Sequence, residues 1–278
     1  LVFIHFQRIP APIVGHQVHF PLPAVAKEIL DACDEIGMLF WEEIPMWGFR
    51  EEHLANQTVR TRGVYLHSNM VQRDYNHPCI VVWGLNNEVD TSTEAAREVA
   101  KLFRDTIQAL DTSRLITFAS NRGHIDICYE YADFVAVNNY TAWYSKDGTE
   151  LSDWAIYIDK LITYMDQTGN GHKPIVVSEF GAGAIYGVRE MEEGLYWTEN
   201  YQKEYLEYTL DLFLHHPCIQ GAIIWQFCDI RSGTKSRESG IRRLLSRPRS
   251  FNNKGLVNEF RRPKLAYYTV KKIYSSME

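Results

Sequence analysis

The sequence predicts an α/β protein folded as a (β/α)8, or TIM, barrel whose N-terminal strand–helix unit is incomplete or irregular. Short apolar runs rich in β-branched residues alternate with amphipathic segments, which is the pattern of a parallel sheet wrapped by helices. A chain of 278 residues that is 45% hydrophobic can bury one core of this size. The segment His-Pro-Cys-Ile occurs at 77–80 and again at 216–219, each time ending a helix and starting a strand. This repeat fits equivalent positions around a closed barrel.

The N-terminal residues 1–23 are the least regular part of the pattern. Apolar runs at 1–6 and 13–20 stand among four prolines, with no amphipathic helix between them. Parallel neighbours need a crossover of about a dozen residues or more, so these runs cannot be consecutive parallel strands. A helix is predicted over 24–35, ending near Gly37, and a buried strand over 38–44.

The rest of the chain follows the alternation more regularly. Strands are predicted to begin at residues 79, 115, 134, 175 and 219. Helices are predicted near 61–75, after 91, over 154–165, around 201–212 and over 263–274. Thr91 and Glu94 have the spacing of a capping box, and the helix that follows places Val99, Leu102 and Leu110 on its apolar face.

Composition argues against several classes of protein. The net charge of −6 disfavours a nucleic-acid-binding protein. No run is long and apolar enough for a membrane span, and the first residues lack the features of a signal peptide. The five cysteines are scattered and odd in number, which favours reduced core thiols over a disulfide framework or a zinc site. We therefore expect a reducing, cytoplasmic location.

The histidine and glycine patterns indicate neither a metal site nor a cofactor. His67, His77 and the adjacent pair at 215–216 lack ligand spacing with acids or thiols. The glycines at 181 and 183 follow a strand but lack the third glycine of a phosphate-binding loop.

Two predicted strands end in a glutamate. The apolar run 79–83 leads into Asn86, Asn87 and Glu88, and the run 174–177 leads into Ser178 and Glu179. A carboxylate just past a buried strand needs partners, because its desolvation is unfavourable. Taken alone, the first of these stretches is equally compatible with a polar surface loop.

In a parallel barrel, Glu88 and Glu179 both follow strands at their carboxyl ends and therefore face the same opening. Two carboxyl groups at one cleft are what glycosidic bond cleavage requires, one to protonate the leaving oxygen and one to attack or to activate water. At short range one pKa should be raised, and its owner would be the acid. The alternative is that either glutamate is a buried partner of an arginine.

The segments 83–88 (Trp-Gly-Leu-Asn-Asn-Glu) and 178–181 (Ser-Glu-Phe-Gly) resemble those of glycoside hydrolase family 2. Supporting matches lie at 33–37, 41–45 and 225–227, and the resemblance covers roughly residues 27–275. It implies a mechanism that retains the anomeric configuration, with Glu88 as acid/base, Glu179 as nucleophile and carboxyl groups about 5–5.5 Å apart. It further implies that Asn87 binds the 2-hydroxyl of the sugar and that Trp225 belongs to the sugar platform.

The choice of sugar rests on further resemblances. Asn138, Tyr140 and Tyr144 resemble residues of the β-glucuronidase active site, although related β-galactosidases carry similar segments. Asn252 and Lys254 resemble the Asn-x-Lys element with which β-glucuronidases hold the carboxylate of the substrate. The span 231–264 holds eleven Lys and Arg residues against two acids, which would attract an anionic glycoside. An exposed basic loop that binds another chain is the alternative.

Two departures from the family pattern concern the N-terminal part. His19, in a His-Phe-Pro segment, resembles a residue that lines the family's pocket, but its spacing to Asp31 is stretched. The β-sandwich domains that usually precede the barrel are absent from this chain, so residues 1–278 are expected to form a single catalytic barrel domain.

The predicted function is that of a retaining exo-β-glycosidase acting on terminal β-glycosides, above all β-D-glucuronides. The alternatives are a β-galactosidase of the same family, or an inactive barrel that serves as a carbohydrate-binding or assembly module. The expected partner is a carbohydrate substrate, with neither nucleic acid nor membrane, and the sequence is compatible with a homo-oligomer.

Overall fold

Eight strands form one sheet in chain order in the computed structural model, which describes residues 4–6, 9–14, 27–144, 148–190, 195–232 and 247–277. Neighbouring strands pair in parallel from β2 to β8, whereas β1 pairs antiparallel with β2. The sheet curls so that β1 lies beside β8. The strands are β1 (Ile4–Phe6), β2 (Ile9–Val14), β3 (Leu39–Glu43), β4 (Ile80–Asn87), β5 (Leu115–Ser120), β6 (Val135–Asn138), β7 (Ile175–Phe180) and β8 (Ile219–Ile224).

This arrangement confirms the predicted barrel and its irregular N-terminal unit. Only two residues separate β1 from β2, which is too few for a parallel crossover, so the two strands form a hairpin. The central strands are buried on both faces: every residue of β7 is buried, and all of β4 except Val81. Continuous apolar runs are buried in this way when helices cover the outside of a parallel sheet.

Within the described ranges, seven helices surround the sheet or follow it. They are α1 (Lys27–Ile36), α2 (Glu51–Leu54), α3 (Gln57–Asp74), α4 (Glu94–Gln108), α5 (Asp153–Gln167), α6 (Glu199–His215) and α7 (Leu265–Ser275). A separate two-stranded antiparallel sheet joins β9 (Ile230–Arg231) to β10 (Phe251–Asn252). This small sheet lies in the segment after β8 and brings Asn252 to the cavity described below.

Helix α4 corrects two details of the sequence prediction. Its N-cap is Thr93, whose hydroxyl accepts a hydrogen bond from the backbone of Ala96, so the predicted capping box at Thr91 is wrong. Thr91 instead donates its hydroxyl to Asp126 after β5. Val99 is buried as expected, but Leu102 and Leu110 are 37% and 38% exposed. Leu102 lies at the edge of the buried stripe, and Leu110 lies beyond the last helical residue, Gln108.

All five cysteines lie in the described residues and are free. Cys33, Cys79 and Cys128 are buried, as predicted for core thiols, whereas Cys218 is exposed. Within the described ranges, no helix combines the length and the apolar character that crossing a membrane requires.

Candidate active site

Glu88 and Glu179 lie at the carboxyl edge of the same parallel sheet. Glu88 directly follows β4, and Glu179 is the penultimate residue of β7. Both line a single cavity of about 540 Å³. The remaining lining residues are Trp47, Asn121, Asn138, Asn139, Tyr140, Tyr144, Trp225, Ile230, Arg231, Ser232, Arg247, Asn252 and Lys254. The sequence prediction that the two glutamates share one opening is therefore confirmed, and their expected carboxyl spacing stays a prediction.

Glu88 is held in an uncommon backbone conformation. Its φ of 52° is in the left-handed region, which residues other than glycine rarely adopt. Its N–H donates to the carbonyl of Ala119 on β5 at 2.8 Å, and this bond fixes the turn. The Trp47 indole N–H donates to Oε2 at 2.9 Å and the Asn138 amide to Oε1 at 3.2 Å. Such strain persists only where the surroundings enforce it, as they do at functional sites.

Glu179 is buried beneath the cavity surface. The hydroxyl of Tyr140 donates to its Oε2 at 2.5 Å. Burial, and after it the charge of Glu88, raises the pKa of Glu179 well above its ordinary value, and the hydrogen bond from Tyr140 only partly offsets this. The carboxyl with the raised pKa is therefore Glu179, whereas the resemblance assigns the role of acid to Glu88.

A third carboxyl group lies near this pair. Glu43 ends β3 opposite Gly84 of β4, and its buried Oε2 makes no hydrogen bond within the described part of the chain. Burial, followed by the charge of Glu88, raises the pKa of Glu43 to about 8, so this carboxyl is neutral at pH 7. Glycine is required at 84, since a Cβ there would lie 2.4 Å from Trp41 Nε1 and 2.6 Å from Glu43 Cβ.

Amide side chains connect the ends of β4, β6 and β7. The Asn138 amide donates to Oδ1 of Asn87 at 2.9 Å, and the hydroxyl of Ser178 donates to Oδ1 of Asn138 at 2.7 Å. Asn138 lines the cavity, while Asn87 is buried behind it. These bonds orient the amide N–H of Asn138 toward Glu88.

Cationic side chains occupy the part of the cavity next to Tyr140 and Tyr144, and Lys254 Nζ lies 5.0 Å from the ring centre of Tyr140. Lys254 is buried, its Nζ lies 4.5 Å from the ring centre of Tyr144, and it donates to the Tyr144 hydroxyl. Arg247 donates to the same hydroxyl at 3.1 Å. Burial lowers the pKa of Lys254. Burial opposes ionisation of Tyr144 as well, but Lys254 and Arg247 outweigh it and lower the pKa of the phenol.

The backbone around Lys254 is fixed from outside the cavity by Lys264. This fully buried side chain donates to the carbonyls of Asn253 at 2.9 Å and Ala184 at 2.7 Å, and to Asp229 Oδ1 at 2.8 Å. Asp229 in turn accepts the N–H of Gly255 at 2.9 Å. The loop that presents Lys254 to the cavity is therefore held on both sides of that residue.

The structure brings together most of the residues that the sequence nominates for binding. Those that line the cavity are Asn138, Tyr140, Tyr144, Trp225, Asn252 and Lys254. Asn87 lies behind the cavity and is hydrogen-bonded to Asn138, which lines it. His19 lies outside the described residues.

Sequence reasoning missed Trp47, Glu43 and Arg247 as individual members of the site. Arg247 belongs to the basic span that the sequence does reveal. Trp47 carries no sequence signal, because it reaches Glu88 only through pairing of its backbone segment with the end of β4.

One cluster at the opposite, amino end of β4 corrects the expectation that His77 lacks ligand spacing with acids. The ligand atoms of Asp31, Asp34 and His77 lie within 4.8 Å of one another. They are already bonded: His77 Nδ1 lies 2.6 Å from Asp34, and Lys27 donates to Asp31 at 2.7 Å. These bonds join α1 to the start of β4, which accounts for the cluster.

Comparison with known proteins places the barrel in a family. Residues 16–278 match the glycosyl hydrolases family 2 TIM barrel domain. The chain belongs to this family. It is 31% identical to the β-glucuronidase of Pongo abelii over 260 residues, and 30% identical to that of Homo sapiens. Each match covers 92% of this chain and 37% of the relative.

Two solved structures match nearly all of this chain. A β-galacturonidase from Eisenbergiella tayi bound to galacturonate is 37% identical, with a TM-score of 0.82. The β-glucuronidase of Ruminococcus gnavus is 28% identical, with a TM-score of 0.80. Both matches cover 95% of this chain and 44% of the other, so the chain spans less than half the length of these relatives.

Proposed function

We propose that this chain is the catalytic domain of a retaining exo-β-glycosidase that hydrolyses terminal β-glycosides of uronic acids, β-D-glucuronides in particular. One observation carries the proposal: a single cavity holds two interacting carboxyls, Glu88 and Glu179, together with the buried cation Lys254. The carboxyls supply the chemistry of glycosidic cleavage, and the cation supplies a partner for a sugar carboxylate. Membership of family 2 supports the reaction class.

The two glutamates divide the reaction between them. Tyr140 holds Oε2 of Glu179, which leaves the other carboxylate oxygen to attack the anomeric carbon. Glu88 gives its proton to the glycosidic oxygen as the bond to the aglycone breaks. A covalent glycosyl-enzyme forms, and Glu88 then takes a proton from the water that releases the sugar. Trp47 and Asn138 keep the Glu88 carboxyl aimed at the cavity through both steps.

Substrate binding provides the proton arrangement that this mechanism needs. Burial raises the pKa of Glu179 and so favours its protonated form, whereas attack on the sugar requires the charged form. A bound glycoside presents an acceptor oxygen to Glu88, and only a protonated carboxyl can donate to it. The bound state therefore favours the proton on Glu88 and the charge on Glu179, as attack requires.

Recognition of a uronate follows from the cationic side chains that line the cavity. Lys254 is buried, and burial lowers its pKa because the ammonium form lacks full solvation there. A sugar carboxylate that reaches it replaces the lost hydration with a charge-assisted hydrogen bond. Arg247 and Arg231 line the same cavity and add positive potential.

A β-galacturonide is the second candidate substrate. The observation that favours it is the 37% identity with the β-galacturonidase of Eisenbergiella tayi, against 31% with the Pongo abelii β-glucuronidase. The two sugars differ in configuration at C4 and share the carboxylate, so Lys254 does not distinguish them.

A panel of 4-nitrophenyl β-glycosides tests the proposal: glucuronide, galacturonide, glucoside and galactoside. We expect turnover of a uronide and abolition of turnover by Glu179→Gln. Lys254→Met should reduce kcat/KM for the uronides far more than for the neutral glycosides, whereas Lys271→Met, at an exposed lysine of α7, should leave both unchanged. Equal losses on both substrate classes would refute the uronate assignment.

Covalent labelling tests the assignment of the nucleophile separately. A 2-fluoro glycoside of the preferred sugar should label Glu179, and peptide mapping should find no label in Glu179→Gln. Label on another residue would contradict the assignment. Saturable binding of glycosides without any turnover would instead identify the barrel as a carbohydrate-binding module.

A further inference from the structure

Trp47 presents an aromatic ring at the mouth of the cavity. The residue is 57% exposed although it lines the same cavity as both glutamates. Its indole N–H donates to Oε2 of Glu88 at 2.9 Å, so the polar edge of the ring points at the carboxyl. The ring therefore combines an anchored polar edge with apolar surface that water contacts.

The backbone around Trp47 fixes the ring relative to Glu88. Asn87 donates its N–H to the carbonyl of Met46 at 2.9 Å, and Gly48 donates to the carbonyl of Asn87 at 3.1 Å. Trp47 thus pairs in parallel with the residue that directly precedes Glu88. Adjoining backbone segments therefore carry the Trp47 indole and the Glu88 carboxyl, so a ligand that binds at this carboxyl must contact the indole.

The chemistry of the acid determines which part of the substrate lies beside Trp47. The proton of Glu88 goes to the glycosidic oxygen, so the leaving aglycone must lie on the side of Glu88. The sugar ring lies on the side of Glu179, whose partner Tyr140 has its ring centre 5.0 Å from Lys254 Nζ. Lys254 and Arg247 donate to the sugar carboxylate there under the proposed function. Asn138 bonds Glu88 from the buried part of the site, whereas Trp47 bonds it from the exposed side and therefore borders the aglycone.

We propose that Trp47 forms the aglycone subsite of this cavity and selects a planar aromatic aglycone. This inference rests on the proposed function for the side of the cavity that the sugar occupies. With its N–H directed to Glu88, the indole presents an apolar face to a ligand, and burying that face is favourable. A flat aromatic group gains an additional stacking contribution that a saturated ring of the same size does not.

Thioglycosides that resist hydrolysis test the inference by binding alone. Calorimetry on the chain compares phenyl with cyclohexyl β-thioglucuronide, which match in size and differ in planarity. The native chain should bind the phenyl ligand more tightly. Trp47→Leu and Trp47→Ala should lower the phenyl-to-cyclohexyl affinity ratio by about 2- to 12-fold, the range for an aromatic pair. Trp47→Phe, which keeps a ring, should retain most of the ratio.

A matched control is Tyr65→Leu, since Tyr65 is 64% exposed but lies on α3 and is not among the residues of the cavity. The inference is overturned if the ratio is unchanged in both ring-deleting variants, if Tyr65→Leu lowers it equally, or if neither thioglucuronide binds. Because the measurement needs no turnover, failure of hydrolysis with an intact binding ratio would count against the proposed function alone. If only one of the two ring-deleting variants folds, its phenyl-to-cyclohexyl affinity ratio alone decides the inference.

Discussion

Replacement of Lys264 by methionine should destabilise the barrel and disturb the loop that carries Lys254. The Lys264 ammonium is fully buried and makes three donor contacts of 2.7–2.9 Å, one of them to Asp229. Methionine has similar length but would leave Asp229 buried without its counter-charge. Removal of one partner from a buried ion pair lowers the free energy of unfolding by about 3–5 kcal/mol. For a chain of this size the melting temperature should fall by roughly 10 °C.

The effect should depend on pH with a definite sign. Burial, only partly offset by Lys264, raises the pKa of Asp229 to about 6, and burial lowers the pKa of Lys264. Without Lys264, the pKa of Asp229 must rise further, because only the hydrogen bond from the Gly255 N–H still opposes the effect of burial. A protonated Asp229 needs no counter-charge, so the destabilisation should be largest near pH 8 and should shrink toward pH 5.

Urea denaturation at pH 8 and pH 5 measures both effects, and the double variant Lys264→Met/Asp229→Asn provides the control. The double variant removes the unpaired charge and should recover part of the stability lost at pH 8. Turnover of a uronide should fall more than turnover of a neutral glycoside, because Lys264 and Asp229 hold the backbone on both sides of Lys254. A loss that is the same at both pH values, or below about 0.5 kcal/mol, would refute the reasoning.

Three further predictions concern other buried positions. Tyr140→Phe removes a hydrogen-bond donor to Glu179 and should raise the pKa of Glu179 further. The acidic limb of the kcat/KM profile should therefore move upward by about 1–2 pH units, and an unmoved limb would contradict this. Gly84→Ala should reduce the free energy of unfolding by about 1–3 kcal/mol in a denaturant titration, because its Cβ would press on Trp41. Burial lowers the pKa of His67 to about 4, so stability should decline by on the order of 3 kcal/mol as pH falls from 6.5 to 4. His67→Gln should flatten that decline, and an unchanged slope would show that other groups cause it.

Local pattern was sufficient to predict the barrel and the positions of its two glutamates. β-branched apolar runs ending in polar residues mark parallel strands, and parallel strands of one sheet present their carboxyl ends to one edge. Glu88 and Glu179 could therefore be assigned to one opening without knowledge of any contact. The resemblance to family 2 added Lys254 and Asn252, because those residues match as a short motif.

Partners that meet only through folding could not be read from the chain. Arg247 bonds the hydroxyl of Tyr144 across 103 positions, and Lys264 reaches Ala184 across 80. The β1–β2 hairpin also escaped prediction, since two short apolar runs do not specify their direction of pairing.

What the sequence by itself determined is the order of the elements, the edge at which the chemistry lies, and the types of residue there. Only the tertiary structure decided that Glu179 has the raised pKa, that Glu43 is neutral beside it, and that Trp47 borders Glu88. The physical reason is that solvation and charge at a site are set by every segment packed around it. Hydrophobic periodicity reports only how one segment faces the core.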